Sequence, residues 1–289
     1  MIRVDGLLKY PRTPHLEGSR LQGGDSASDQ VRLREIAGRS CVIEEKLDGA
    51  NAGLSFSNVG DLLLQSRGHF LAGGGRERHF NLFKRWANAH EDALFDVLRD
   101  RYIIFGEWMF AKHSMFYDFL PHLFIEFDVF DKQEQLFLST PRRKALLESL
   151  PIVSAPILYS GAFPSQQGDL RGLIQPSLAQ GKSWTDSLVE TSSRAGLDVE
   201  KVKRQTDMTG LSEGIYVKIE DDDQVLARFK FVRSTFTQTL LDQDEHWQSR
   251  PIVQNGLRPG VDLFSPVLNK DWISTPIHEK TSSIPRGTP

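Results

Sequence analysis

Apolar and polar positions divide the chain into short strands, one long periodic helix and a late hairpin. Residues 40 to 66 hold three strand-like runs. Ser40-Cys41-Val42-Ile43-Glu44 opens the series, Asp48-Gly49 marks the turn that ends this first run, and Asp61-Leu62-Leu63-Leu64-Gln65-Ser66 closes the set. From His79 to Arg99, Phe80, Phe83, Trp86, His90, Leu94 and Leu98 recur at helical spacing, which predicts one amphipathic helix with its aromatic stripe in the core. Two apolar runs, Tyr102 to Trp108 and His122 to Phe130, predict buried strands; the loop between them carries Ala111-Lys112-His113-Ser114 and Tyr117. A helix is expected to begin at Pro141 with Thr140 as its N-cap. Residues 165 to 205 are polar and predict helix in pieces, interrupted by Gly168, Gly172, Gly181 and Gly196. Glu213 to Phe231 has the pattern of a hairpin turning at Asp221-Asp222-Asp223, and Ser234 to Leu241 that of a short closing helix.

Strands and helices mix without strict alternation, which predicts an α+β fold with mostly antiparallel sheets rather than a doubly wound parallel sheet. Residues 1–244 are read as one domain, with an N-terminal lead-in at 1–39 in which Lys9 to Pro14 is extended. Residues 245–289 are read as a proline-rich tail without a domain of its own, its last dozen residues disordered.

Composition narrows the picture further. No apolar run is long enough to span a bilayer and the first residues do not open a signal peptide, so a soluble protein with no membrane partner is expected. The single cysteine, Cys41, excludes an internal disulfide and a cysteine-based zinc site, which suits the cytoplasm. A net charge of −3 announces no nucleic-acid binder globally. Any such contact must come from a local patch, for which Arg67, Arg76, Arg78, Lys84 and Arg85 are candidates, with a plain solvated helix face as the equal alternative. Gly73-Gly74-Gly75 lacks the lysine and spacing of a phosphate-binding P-loop and is read as a mobile loop.

The segment Glu45-Lys46-Leu47-Asp48-Gly49-Ala50-Asn51 sets a lysine at the mouth of a sheet, where desolvation is expected to lower its pKa toward a nucleophilic amine. In order after it come Ser66-Arg67-Gly68, Phe105-Gly106-Glu107-Trp108, Phe124 to Asp131, Glu213-Gly214-Ile215-Tyr216-Val217-Lys218 and Ala227-Arg228-Phe229-Lys230-Phe231. This series resembles the collinear motifs of the covalent nucleotidyltransferases, the superfamily of DNA ligases, RNA ligases and mRNA capping enzymes. It is most similar to the RNA ligase 2 branch, because Asn51 stands five residues after Lys46. The resemblance covers about residues 40 to 240.

The resemblance implies the ligase and capping-enzyme catalytic fold and an ATP-dependent RNA ligase working through lysyl-AMP and RNA-adenylate, with Mg²⁺ or Mn²⁺. It makes Lys46 the nucleophile and places Glu45, Glu107, Phe127 and Lys218 around the nucleotide: Glu107 at the ribose hydroxyl, Phe127 stacked on adenine, Lys218 at phosphate. Arg67 and Asn51 serve the phosphate to be joined, Arg67 also the AMP phosphate, and Glu213 serves the metal. Arg228 and Lys230 are two apart on an expected strand and so share a face, where they would neutralise the triphosphate. The related pattern has lysine at both positions; arginine at 228 keeps the charge but not the geometry. The implied partner is RNA with 5′-phosphate and 3′-hydroxyl ends, and an end-healing kinase or phosphatase is left open. The alternatives are a DNA ligase, a GTP-using capping-type nucleotidyltransferase and a non-catalytic nucleic-acid-binding relative.

Overall fold

The computed structural model describes residues 3–4, 6–21, 30–236 and 252–272. Its strands are β1 (Arg3–Val4), β2 (Leu7–Leu8), β3 (Ser40–Lys46), β4 (Ala50–Phe56), β5 (Leu62–Ser66), β6 (Tyr102–Trp108), β7 (Phe124–Asp131), β8 (Leu136–Phe137), β9 (Val153–Ser154), β10 (Ile157–Ala162), β11 (Gly214–Glu220) and β12 (Val225–Val232). Its helices are α1 (Asn81–Ala89), α2 (Glu91–Leu98), α3 (Thr140–Leu146), α4 (Gln167–Gly172), α5 (Trp184–Arg194) and α6 (Val199–Arg204). A small sheet runs β10-β3-β11-β12, and a larger one runs β5-β4-β6-β7-β8 with β9 added to β7. All pairings between strands are antiparallel except that of β9 with β7. The α+β expectation and the hairpin of β11 and β12 both hold.

Alternation along the small sheet explains what it does. Cys41, Ile43, Ile215, Val217, Ile219, Phe229 and Phe231 pack on one side with Leu16, Ile36, Phe163 and Leu170. The period of two sends Glu44, Lys46, Tyr216, Lys218, Arg228 and Lys230 to the other side, toward the larger sheet. The larger sheet is backed by α1 and α2, where Phe83, Trp86, Leu94 and Leu98 join Trp108 and Phe124 in the main core. Each such ring contributes about 2–3 kcal/mol of burial. The site therefore lies between the sheets, on faces that carry charge instead of core.

Several local expectations change. The periodic stretch 79–99 is two helices broken at His90 (φ −115°, ψ 15°), since Glu91 and Asp92 give the second helix the acidic first turn that a helix N-terminus favours. Thr140 is inside α3, with Ser139 at the cap position. The orphan Thr140 N–H is answered from the hairpin instead, donating to Glu220 Oε2 at 3.0 Å while the Thr140 hydroxyl donates to the same oxygen at 2.9 Å. Strand β10 was not expected. Ser234 and Thr235 form a turn rather than the start of a helix, and residues 237–241 lie outside the described residues. Residues 252–272 carry no regular element but are packed: Asn255 donates to Met109 O at 2.7 Å and accepts from Tyr117 N at 2.9 Å, and Trp272 Nε1 donates to Ser154 O at 2.8 Å. The glycine loop at 73–75 is held by Glu77, which accepts from Gly73 N at 2.9 Å and pairs with Lys84.

Candidate active site

Lys46 ends β3, and the chain turns at once into β4. The turn needs glycine at 49, because a Cβ there would lie 2.6 Å from Met109 Sδ and 3.2 Å from the Trp108 carbonyl oxygen. Asp48 is no idle turn residue: its Oδ2 accepts from Ser114 N at 2.7 Å and Met115 N at 2.9 Å, and its own N–H donates to the buried Tyr117 hydroxyl at 2.9 Å. Across the small sheet, Gly214 stands opposite Lys46, where a Cβ would lie 2.0 Å from the Phe231 carbonyl oxygen. The residue before it, Glu213, accepts from Lys46 Nζ at 2.5 Å; the two side chains are 22% and 2% exposed.

On the larger sheet Asn51 pairs with Glu107, and Glu107 with Ile125, so the three share a face. The next step on β7 is irregular. Gly106 pairs with Glu126 and Phe105 with Asp128, leaving Phe127 as an extra, bulged residue rather than one of an alternating apolar row. The bulge lets Phe127 and Asp128 both turn toward the small sheet. Lys46, Glu45, Asn51, Arg67, Glu107, Phe127 and Lys230 line one open cavity of about 830 Å³, together with Tyr10 and Tyr216. A second cavity of about 1140 Å³ meets it at Lys46, Asn51, Arg67 and Glu107 and adds Asp48, His113 and Glu213. Eight of the ten expected site residues are thus gathered at one place.

Lys218 and Arg228 line neither cavity. Lys218 is fully buried, pairs with Glu44 Oε2 at 2.9 Å and Asp128 Oδ1 at 3.4 Å, and donates to the Phe127 carbonyl. Arg228 Nε donates to Asp128 Oδ2 at 2.7 Å, with its guanidinium 3.6 Å from the centre of the Phe137 ring. Arg143 of α3 completes this floor, reaching Glu126 Oε1 at 3.0 Å and also Glu44. Alternation puts Arg228 and Lys230 on one face as expected, but that face is longer than the cavity, and Asp128 holds the arginine at its inner end. Glu44, Glu126, Asp128, Arg143, Tyr10 and Tyr216 were given no site role in the sequence reading. Glu44 was accessible to it, since Glu44 and Lys46 are two apart on one strand.

Charge sets the character of the mouth. Burial lowers the pKa of Lys46, but Glu213, Asp48 and Glu107 outweigh it and the net shift is upward, opposite to the expected depression. Burial pushes Glu213 up to about 7 and Glu107 up to about 8, against the pull of Lys46 on both. Glu45 is pushed up by burial to about 7, although Ser177 Oγ at 2.5 Å and Leu178 N at 3.1 Å donate to it. Two buried acceptors of the mouth, Asn51 Oδ1 and Glu107 Oε2, have no hydrogen-bond partner. Among the described residues no three His, Cys, Asp or Glu side chains are gathered to hold a metal.

A model of the RNA ligase family matches residues 39–232. The chain belongs to the RNA ligase family. The matched span runs from β3 through β12 and contains Lys46, Arg67, Glu107, Glu213 and Lys230, while the lead-in and residues 252–272 lie outside it. Solved structures similar to this RNA ligase family chain include a variant of the Naegleria gruberi RNA ligase with ATP and Mn, at 16% identity and a TM-score of 0.46 over 77% of this chain and 60% of that one. The Naegleria gruberi RNA ligase with PPi is 17% identical, TM-score 0.46, over 78% and 61%. An archaeal ATP-dependent RNA ligase is 14% identical, TM-score 0.46, over 78% and 48%. The chain thus spans about 60% or less of the length of these structures. Family membership rests on the family model and not on these resemblances. No curated protein sequence matches the chain significantly. Among the described residues of this family member, no helix is long and apolar enough to cross a membrane.

Proposed function

We propose that the chain is an ATP-dependent RNA ligase that joins a 5′-phosphate to a 3′-hydroxyl. The observation that carries this reading is the position of Lys46, 2.5 Å from Glu213 at the meeting point of two cavities, with Arg67, Glu107, Asn51 and Lys230 around it. The first cavity has aromatic walls, Phe127 and Tyr216, suited to a nucleobase, and the second is polar, suited to the end of a strand.

Lys46 Nζ attacks the α-phosphorus of ATP, forming the P–N bond as the P–O bond to pyrophosphate breaks. A 5′-phosphate oxygen of the RNA then attacks the same phosphorus and releases the Lys46 amine. The 3′-hydroxyl finally attacks the 5′-phosphorus and displaces AMP. Lys46 must lose a proton before the first step, and its ammonium is held by Glu213. A cation held by Glu213 would weaken that hold, and burial, with the positive charge of Lys230 in the same cavity, would then favour the free amine. Lys230 neutralises the developing phosphate charge and Arg67 holds the phosphate to be joined.

Glu213 and Glu107, the latter with an unpartnered Oε2, would hold a divalent cation, Mg²⁺ or Mn²⁺, largely through water. When bound, it offsets the charge of the phosphates. A role in RNA repair in the cytoplasm, beside an end-healing kinase or phosphatase, completes the reading, and the lone buried Cys41 is suited to a reducing compartment.

The test is incubation with labelled ATP and Mg²⁺, then denaturing gels with nicked RNA and nicked DNA. An acid-labile, base-stable AMP adduct at Lys46 and sealing of RNA are expected. Labelling by GTP alone would move the chain to the capping-type reaction, and sealing of DNA alone to the DNA ligases.

A further inference from the structure

The family match begins at residue 39, yet Tyr10, Pro11 and Thr13 line the nucleotide cavity. His15 forms a parallel bridge with Lys230. The Lys230 N–H donates to Pro14 O at 3.0 Å, and the Leu16 N–H donates to Lys230 O at 2.9 Å. The segment therefore lies along β12 as an added strand and grips both sides of the Lys230 peptide. Pro11 and Pro14 restrict its backbone, so little freedom is lost when it docks.

Inside the cavity, the Tyr10 ring stands edge-on to Phe127 with centroids 5.0 Å apart. The Tyr10 hydroxyl donates to Asp128 Oδ2 at 2.5 Å and lies 2.5 Å from the Tyr216 hydroxyl, which Thr13 Oγ1 reaches at 3.1 Å. Asp128 is an acceptor only, and Arg228 and Lys218 fix its charge. The direction of the whole chain follows from that end: Tyr10 donates to Asp128, Tyr216 to Tyr10 and Thr13 to Tyr216. Tyr216 is thereby anchored at its outer tip. Its ring centre lies 6.1 Å from that of Phe127, with the planes tilted by 41°. A base between two parallel rings needs about 7 Å, twice a van der Waals contact, so Tyr216 stands as a tilted side wall against Phe127 rather than as the far face of an open slot. Released, the Tyr216 ring would be free to swing over the face of Phe127 that a base would stack on.

We infer that residues 10–16 are a strap that sets the wall of the nucleobase site, with Tyr10 as a positioning residue that fixes the Tyr216 ring beside Phe127 and Pro14 to Leu16 fixing Lys230 at the phosphates. The inference rests on the reading of this cavity as the ATP site. Tyr10→Phe keeps the ring and removes the anchor. In the full chain, single-turnover lysyl-AMP formation as a function of ATP should show half-saturation raised about tenfold, the effect of one lost hydrogen bond, with the maximal rate within about twofold. Thr13→Val should raise half-saturation less, and Thr13→Ser should restore it. A Tyr10→Phe chain with a reduced maximal rate or melting temperature and half-saturation unchanged within twofold overturns the strap in favour of a purely structural role. Calorimetry with AMP on the same proteins separates the two readings. If the unaltered chain binds AMP but forms no adduct, the ligase reading falls and the AMP affinity of Tyr10→Phe decides the strap; if it binds neither AMP nor ATP, both fall.

Discussion

The floor and the mouth of the space between the sheets are built from the same residue types to opposite effect. In the floor, Glu44, Glu126 and Asp128 face Arg143, Lys218 and Arg228, and each charge has a named partner of opposite sign. Asp128 stays below the usual carboxylate range: burial raises it, and Arg228, Lys218 and Arg143 outweigh burial. Glu126 is still pushed up by burial, although Arg143, Lys218 and a hydrogen bond from Ser154 pull it down. At the mouth, Lys46 is surrounded by Glu213, Asp48 and Glu107, and both glutamates are pushed up to about 7 and 8. The floor charges pair with one another, although Glu44 Oε2, Asp128 Oδ1, Arg143 Nε and Arg228 Nη2 make no hydrogen bond. The mouth sets Lys46, Arg67 and Lys230 beside Asp48, Glu107 and Glu213, and its upward-shifted acids are the mark of a reactive site. Substitutions should therefore divide, floor changes acting on stability and mouth changes on chemistry.

The largest effect is expected at the mouth. Lys46→Arg should form no AMP adduct, because a guanidinium does not lose its proton, while the melting temperature moves by no more than a few degrees. A labelled Lys46→Arg protein would place the nucleophile elsewhere. Next comes the floor. Arg143→Met leaves Glu44 and Glu126 buried without their arginine, at a cost of about 3–5 kcal/mol and a fall of roughly 10 °C or more in melting temperature. An unchanged melting curve would show that the floor is not a closed network.

Arg228 and Lys230 divide the two regions along one strand. Lys230→Ala should slow lysyl-AMP formation about a hundredfold, on the order of 3 kcal/mol, with little change in melting. Arg228→Ala should show the reverse, losing stability before adenylation, and an equal loss of adenylation in both variants would extend the mouth to Asp128. Asn51→Ala should spare most adenylation but impair joining of a pre-adenylated strand, measured in single turnover.

The smallest effect is a pH dependence. Burial raises the folded pKa of Glu107 from 4.5 to about 8, so between those values the folded state binds more protons than the unfolded one. The contribution of this group to stability is full below pH 4.5 and is lost as pH rises toward 8. Glu107→Gln should flatten that slope, with its largest gain in melting temperature at pH 8. Identical melting profiles from pH 5 to 8 would mean that Glu107 titrates normally.

Much of the mouth was legible in the sequence because its residues sit in short runs with local geometry: Lys46-x-Asp48-Gly49, Glu213-Gly214 and the strand carrying Lys230. The floor was not, because its partners are remote along the chain; Arg143 meets Glu44 and Glu126 only after α3 packs across both sheets. The bulge at Phe127 was not legible either, because one extra residue leaves no trace in apolar spacing. Strand β10 was missed for a related reason: Ile157 to Ala162 is half-exposed to exposed and lacks the alternation that marks a half-buried strand. The sign of the Lys46 shift depended on three carboxylates, two of them distant in sequence, so burial alone gave the wrong direction.

The bridge between His15 and Lys230 joins points about 215 residues apart. Its formation closes a very long loop, and such contacts are made late because their entropic cost precedes their reward. On the ribosome, the strap has no strand to dock on until β12 has emerged, so a nascent chain holds the lysine motif long before it holds a finished nucleotide slot. On the proposed reading, competence to react with ATP is thereby tied to completion of the last strand of the small sheet, and translation stalled before residue 230 would leave an inert lysine.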